Sequence, residues 1–274
     1  MISFARQRWS GLIFLLLTSA CVLWSYQRFA AQIPRFPYLT GWVLFALMLI
    51  LSLYNARKKL PFLPAGNSEG WLQFHLWAGL LTGVLFLAHV SFKWPTGWFE
   101  GTLTCLYLIV ALSGVAGWIL SRLIPKRLTT RGGEVLFERI PAIRTALETQ
   151  VEALVLKSIE EARSSTIADF YTQNLKGFFG RRRNFWPHVF GSRHPLNTLL
   201  NRINDLNRYL DDKEREMLGE IASLVRQKDG LDYHYALQLL LKSWLFVHVP
   251  LTYSLLLFIL VHVVLVFAFS GGAQ

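Results

Sequence analysis

The chain has 274 residues, 53% of them hydrophobic, and its mean hydropathy is +0.36. So apolar a composition, gathered into several long runs, argues against an ordinary soluble domain. The two cysteines, Cys21 and Cys105, lie far apart with no CxxCH motif, which argues against covalently attached haem and against an iron–sulfur cluster bound by this chain alone.

Five apolar runs follow one another: Gly11–Tyr26, Leu39–Tyr54, Trp71–Phe92, Gly101–Leu120 and Leu239–Phe269. A membrane-crossing helix needs about 20 apolar residues, with a range of about 17–25. The third, fourth and fifth runs meet that length. The first two have 16 residues each, but aromatic and basic residues flank them (Trp9 and Arg28; Tyr38 and Arg57), as suits interface anchors. The sequence therefore predicts five transmembrane helices. The alternative for the first run is a cleaved signal peptide, because Arg6 and Arg8 precede it and Leu17–Cys21 loosely resembles a lipoprotein cleavage site. Thr18 stands three before the cysteine, and the apolar run continues through Val22, Leu23 and Trp24. Both points favour a retained anchor.

The formal charge of +11 is unevenly placed. Arg122–Lys242 holds 20 of the 28 basic and 15 of the 17 acidic residues. Arg57, Lys58 and Lys59 follow the second run and Arg122, Lys126, Arg127 and Arg131 the fourth, whereas Lys93 stands alone between the third and fourth. Basic loops stay on the cytoplasmic side. The expectation is a multi-pass protein of a bacterial cytoplasmic (inner) membrane, N-terminus inside and C-terminus outside. Residues 1–121 would carry four transmembrane helices, 122–238 a cytoplasmic helical insertion, and 239–274 the fifth helix and an outer C-terminus.

The third run contains HLWAGLLTGVLFLAH, with His75 and His89 fourteen positions apart; the fifth contains HVPLTYSLLLFILVH, with His248 and His262 at the same spacing. Fourteen residues close four turns of a mildly supercoiled helix, at 3.5 residues per turn, and rise about 21 Å. Each pair therefore shares one helix face, one histidine near either membrane surface. The two helices run the same way, so His75 meets His248 in depth and His89 meets His262. Ionisable groups inside a membrane are costly and functional by default. Packing alone is the bland reading, and four residues at matched depth weigh against it. A bare metal ion usually takes three or four protein ligands. Two imidazoles at each level suit instead the axial positions of a haem iron, twice.

Two helices each with an H-x13-H pair resemble the haem-binding core of the cytochrome b of bc-type quinol-oxidising complexes, and more broadly the dihaem cytochrome b superfamily. The resemblance covers the second to fifth helices. It implies a haem-binding four-helix bundle with one peripheral helix, and two haem b groups with His75, His89, His248 and His262 as axial ligands of the iron. It also implies electron transfer between quinones and redox partner proteins, as the membrane subunit of an oxidoreductase complex. Two departures stand out: about 120 residues are inserted before the last helix, and no PEWY-like quinol-site motif is present. A quinone is thus a candidate ligand only through the resemblance. The rival readings are a non-redox membrane anchor and a metal-ion transporter using the histidine pairs.

Small residues Gly79, Gly83, Gly114 and Gly117 would allow a porphyrin close to the backbone, or ordinary helix packing. Arg57, Lys58, Arg122, Lys126 and Lys242 inside, and Lys93 outside, are cations within reach of haem propionates, or merely topology determinants. Pro250 should loosen the helix near Phe246.

The insertion alternates charged and apolar residues at helical spacing. It predicts four helices, with apolar faces at Ile143–Ile159, Ile167–Phe178, Leu199–Leu210 and Leu218–Val225, the last of which could run on into the membrane. Between the second and third lies a basic and aromatic stretch with Arg181, Arg182, Arg183, Phe185 and Trp186. Beside a membrane this reads as a site for lipid headgroups or an acidic partner, not nucleic acid. His188, His194 and His234 are read as surface or structural histidines, with His234 a candidate for handling a quinone proton. Gly132 and Gly133 predict a turn and not a phosphate loop, since no GK[ST] follows.

Overall fold

The computed structural model describes residues 4–30, 32–33, 36–59, 68–129, 135–162, 165–181 and 184–270. The expected turn at Gly132 and Gly133 lies outside them, as do Arg182 and Arg183 and the side chains of Arg57 and Lys58. Among the described residues the chain is all-helical and has no strand. Among the described residues, five helices are long and apolar enough to cross a membrane. Lipid offers no partner for backbone N–H and C=O groups, so a spanning segment must satisfy them within itself.

The chain divides into two compact units. The first comprises residues 1–119 and 244–274. It contains α1 (Phe4–Phe29), α2 (Phe36–Lys59), α3 (Ser68–His89), most of α4 (Trp98–Leu128) and the C-terminal part of α10 (Asp212–Ser270). The two helices read as short from their apolar runs are 26 and 24 residues long, because polar flanks continue the helix beyond the hydrocarbon. The third run stops earlier than its composition suggests. Helix α3 ends at His89, and Ser91 and Phe92 take left-handed backbone angles (φ 53° and 56°). The Phe92 amide closes the end by donating to the Leu87 carbonyl at 2.9 Å, and its ring packs edge-on to Tyr26 at 5.3 Å.

Helix α3 packs against both α1 and α2. Gly11 of α1 lies directly beneath the Trp77 indole of α3, where a Cβ would collide with the ring. A central apolar cluster takes Met48 from α2, Tyr107 and Val110 from α4 and Leu255 from α10, with Phe86 of α3 against them. Tyr107 stacks on Phe86 at 4.1 Å.

The second unit, residues 120–243, is a helical domain. It contains the end of α4, α5 (Ile140–Ala162), α6 (Thr166–Phe170), α7 (Lys176–Phe179), α8 (Phe185–Val189), α9 (His194–Leu206) and the first half of α10. The apolar stripe expected over 167–178 is not one regular helix. A π-turn at Tyr171–Leu175 separates α6 from α7, and it lets Tyr171, Leu175, Phe178 and Phe179 all face the core. That core is closed by Leu147, Val151 and Val155 of α5 and by Leu218, Ile221 and Val225 of α10.

The expected fourth helix and the last apolar run are one element. Helix α10 runs 59 residues without interruption. Asp211 caps its start, accepting from the Glu214 amide at 2.8 Å while Glu214 accepts from the Asp211 amide at 3.1 Å, a reciprocal capping arrangement. Pro250 stays within the helix. It cannot donate to the Phe246 carbonyl, and the Thr252 hydroxyl donates back to the His248 carbonyl at 2.9 Å.

Candidate functional site

The four intramembrane histidines fall into two pairs in the first unit. His89 and His262 lie with ring centroids 6.4 Å apart and ring planes nearly perpendicular, at 88°. His75 lies within electrostatic reach of His248. The N-terminal histidines of α3 and of the α10 segment pair with each other, as do the C-terminal ones, so these two segments run in the same direction.

Each tier has a neighbour that orients an imidazole. The His89 Nδ1 lies 3.0 Å from the Pro37 carbonyl oxygen. A carbonyl only accepts, so Nδ1 carries the proton and Nε2 keeps its lone pair. At the other tier, His248 Nδ1 lies 2.6 Å from the Ser113 hydroxyl oxygen. That hydroxyl already donates to the Val110 carbonyl at 2.8 Å. With its one proton committed, Ser113 must accept from His248, and again Nε2 is the free nitrogen. Holding the second ring nitrogen in this way is how proteins fix the tautomer of a metal-ligating histidine.

Aromatic rings complete the setting. Trp244 stacks on His248 at 5.2 Å and donates from its indole N–H to the Ser113 carbonyl at 2.7 Å. Phe99 stacks on His262 at 6.5 Å, and the Glu100 carboxylate is within electrostatic reach of the same ring. His89 and His262 border an apolar cavity of about 380 Å³, whose walls include Pro37, Gly41, Phe86 and Tyr107. A Cβ at Gly41 would stand 2.9 Å from His89 Cε1, so only glycine lets the imidazole lie over α2 here. Between the tiers lies a buried layer. Thr82 and Leu255, each seven residues from both histidines of its helix, are buried there, and the Tyr107 hydroxyl donates to Thr82 Oγ1 at 3.1 Å.

The glycines expected to give room behave differently from one another. Gly79 and Gly83 have nothing within 4 Å of where a side chain would start, Gly114 faces His248 Cε1 at 3.8 Å, and Gly117 lies under Trp244. Lys242 is engaged elsewhere. It pairs with Glu138 at 2.9 Å and sits 3.9 Å over the Phe137 ring, both in the second unit. His188 and His234, read as surface or structural, are buried, while His194 is exposed. Sequence reasoning missed Pro37, Gly41, Ser113, Tyr107 and Trp244. The one usable signal was Ser113 beside Gly114 within the fourth apolar run, a hydroxyl where lipid-facing residues are expected. Among the described residues, no three His, Cys, Asp or Glu side chains converge as a metal-binding group.

Fold and span lengths together define a multi-pass, all-α membrane protein. Compared with protein families, curated proteins and solved structures, the chain matches none.

Proposed function

We propose that this chain carries electrons across a membrane on two b-type haems, held by His89 with His262 and by His75 with His248. The observation that carries the reading is the separation of the outer pair. A metal held by His89 and His262 would need one nitrogen of each imidazole about 2 Å from it, so the two rings would have to lie close together across one gap. The His89 and His262 rings are 6.4 Å apart, in an apolar cavity, with His89 Nε2 left free by the Pro37 contact. A bare ion between two imidazoles in an apolar setting would lack ligands. A porphyrin supplies four nitrogens and an apolar disc, and the residues present fit it.

When bound, such a group supplies a one-electron carrier. The chain's own part is to hold and insulate. Pro37 and Ser113 fix the tautomers of His89 and His248. Gly41 leaves room for His89 Cε1 against α2, and Trp244 and Phe99 stack on the rings of His248 and His262. The layer of Thr82, Tyr107, Phe86 and Leu255 excludes water between the tiers. In this reading the chain sits in a bacterial inner membrane, N-terminus inside, as a subunit of an oxidoreductase complex. Redox proteins exchange electrons with it at one surface, and a quinone or second protein at the other.

Haem content tests the proposal. Protein made with ample haem should give a b-type reduced-minus-oxidised spectrum and about two pyridine haemochromes per chain, falling to about one in His89→Ala. Wild-type protein without haem would overturn it.

A further inference from the structure

Helix α8 is built inside out. Its inward residue is a histidine, His188, which is 2% exposed and faces Asp229 of α10 at 3.6 Å. Its outward residues are aromatic: Trp186 at the helix and Phe190 just past it are 62% and 77% exposed, with rings stacked at 6.1 Å. A helix on a water-facing surface arranges these types the other way round. The segment is also held firmly in place. Asn184 enters it with φ 62° and Gly191 leaves it with φ 77°. The Gly191 and Ser192 amides donate to the His188 and Pro187 carbonyls at 3.0 and 2.8 Å. The Arg127 guanidinium, at the end of α4, donates to the Val189 carbonyl at 2.8 Å.

That last contact ties the aromatic pair to α4. Arg127 stands seven residues beyond Leu120, the end of the fourth apolar run, which is about 10 Å along a helix. The polar layer on each side of a bilayer is about 5–8 Å thick. Within the second unit, the pair is thus tied through Val189 to a residue close in sequence to the end of the fourth apolar run. The surrounding sequence has one sign of charge. Between Asp169 and Asp205 there are six basic residues and no acidic one, and from Ser121 to Gly133 four basic and no acidic. Arg122, Lys126, Arg181 and Arg193 are exposed.

We propose that Trp186 and Phe190, with this basic surround, form a foot that seats the second unit on an anionic phospholipid surface. Tryptophan and phenylalanine suit the headgroup boundary, and the arginines suit the lipid phosphates. The inference is independent of whether the chain binds haem.

The test places an environment-sensitive fluorophore on single cysteines at Trp186→Cys, Phe190→Cys and, as control, Glu161→Cys, in the full chain carrying Cys21→Ser and Cys105→Ser. All three sites are exposed, and Glu161 lies in an acidic stretch. In nanodiscs of phosphatidylglycerol doped with headgroup-proximal spin-labelled lipid, the labels at 186 and 190 should be quenched about twofold or more beyond the label at 161. Quenching should weaken when phosphatidylcholine replaces the anionic lipid. Quenching no greater than at 161 would overturn the proposal, whether the labels meet water or are shielded by a second copy of the chain. Equal quenching in the two lipids would overturn its electrostatic half.

Discussion

Ser113 illustrates how much can hang on one hydroxyl. Its proton goes to the Val110 carbonyl, which obliges it to accept from His248. Ser113→Ala should leave the helices intact and release the imidazole to rotate. Loss of such an outer partner weakens metal binding by about 10–100-fold. Haem titration of the purified variant should show one tier filling normally and the other only at higher haem; two tiers filling as in wild type would mean that Ser113 does not orient His248. Gly41→Val should act on the opposite tier, since its side chain would meet His89. A different residue governs alkaline behaviour. Burial, with Glu152 and Glu148 nearby, pushes the Tyr171 hydroxyl up to about 12. Between its ordinary 10 and that value the folded protein holds a proton that the unfolded chain has released, so stability falls as pH rises through this window. Tyr171→Phe should flatten that part of a stability–pH profile of the purified protein.

At the scale of elements, the spacing of apolar residues was enough to find all five long helices, because a lipid-spanning segment has to close its own hydrogen bonds and little else competes. The insertion was legible as helical for the same periodic reason. Its details were not. The π-turn at Tyr171–Leu175 and the left-handed residues at Asn184, Ser91 and Phe92 answer to tertiary packing, and no local pattern announces them. The histidine spacing was readable, since it depends only on helix pitch. Pro37, Gly41 and Ser113 were not, because each acts on a residue at least 48 positions away in sequence. Another feature hidden from the sequence is the ion pair of Lys228 and Asp232, four residues apart on α10 and buried. Lys228 also donates to the Arg181 carbonyl at 2.8 Å. Removing one partner of a buried pair costs about 3–5 kcal/mol. Lys228→Met should therefore lower the unfolding midpoint clearly, and Lys228→Met with Asp232→Leu should recover part of the loss.

For the whole molecule, orientation is the sharpest consequence of charge placement. Lys93 is the one basic residue between α3 and α4, against the clusters that follow α2 and α4. On a background lacking Cys21 and Cys105, the Thr96→Cys variant should react in intact cells with a membrane-impermeant maleimide, and Arg193→Cys only after lysis. The reverse pattern would invert the topology proposed here.

Helix α10 carries Asp229 and Asp232 in the second unit and His248 and His262 in the first with no loop between them. A loop absorbs an added or lost residue by changing shape. An unbroken helix passes it on as rotation, about 100° per residue. Deleting one residue between Asp232 and His248 would turn Asp229 and Asp232 by about 100° relative to His248 and His262 along this one helix, although none of the four had been touched. In this stretch of chain the number of residues is itself a constraint, as strict as their identity.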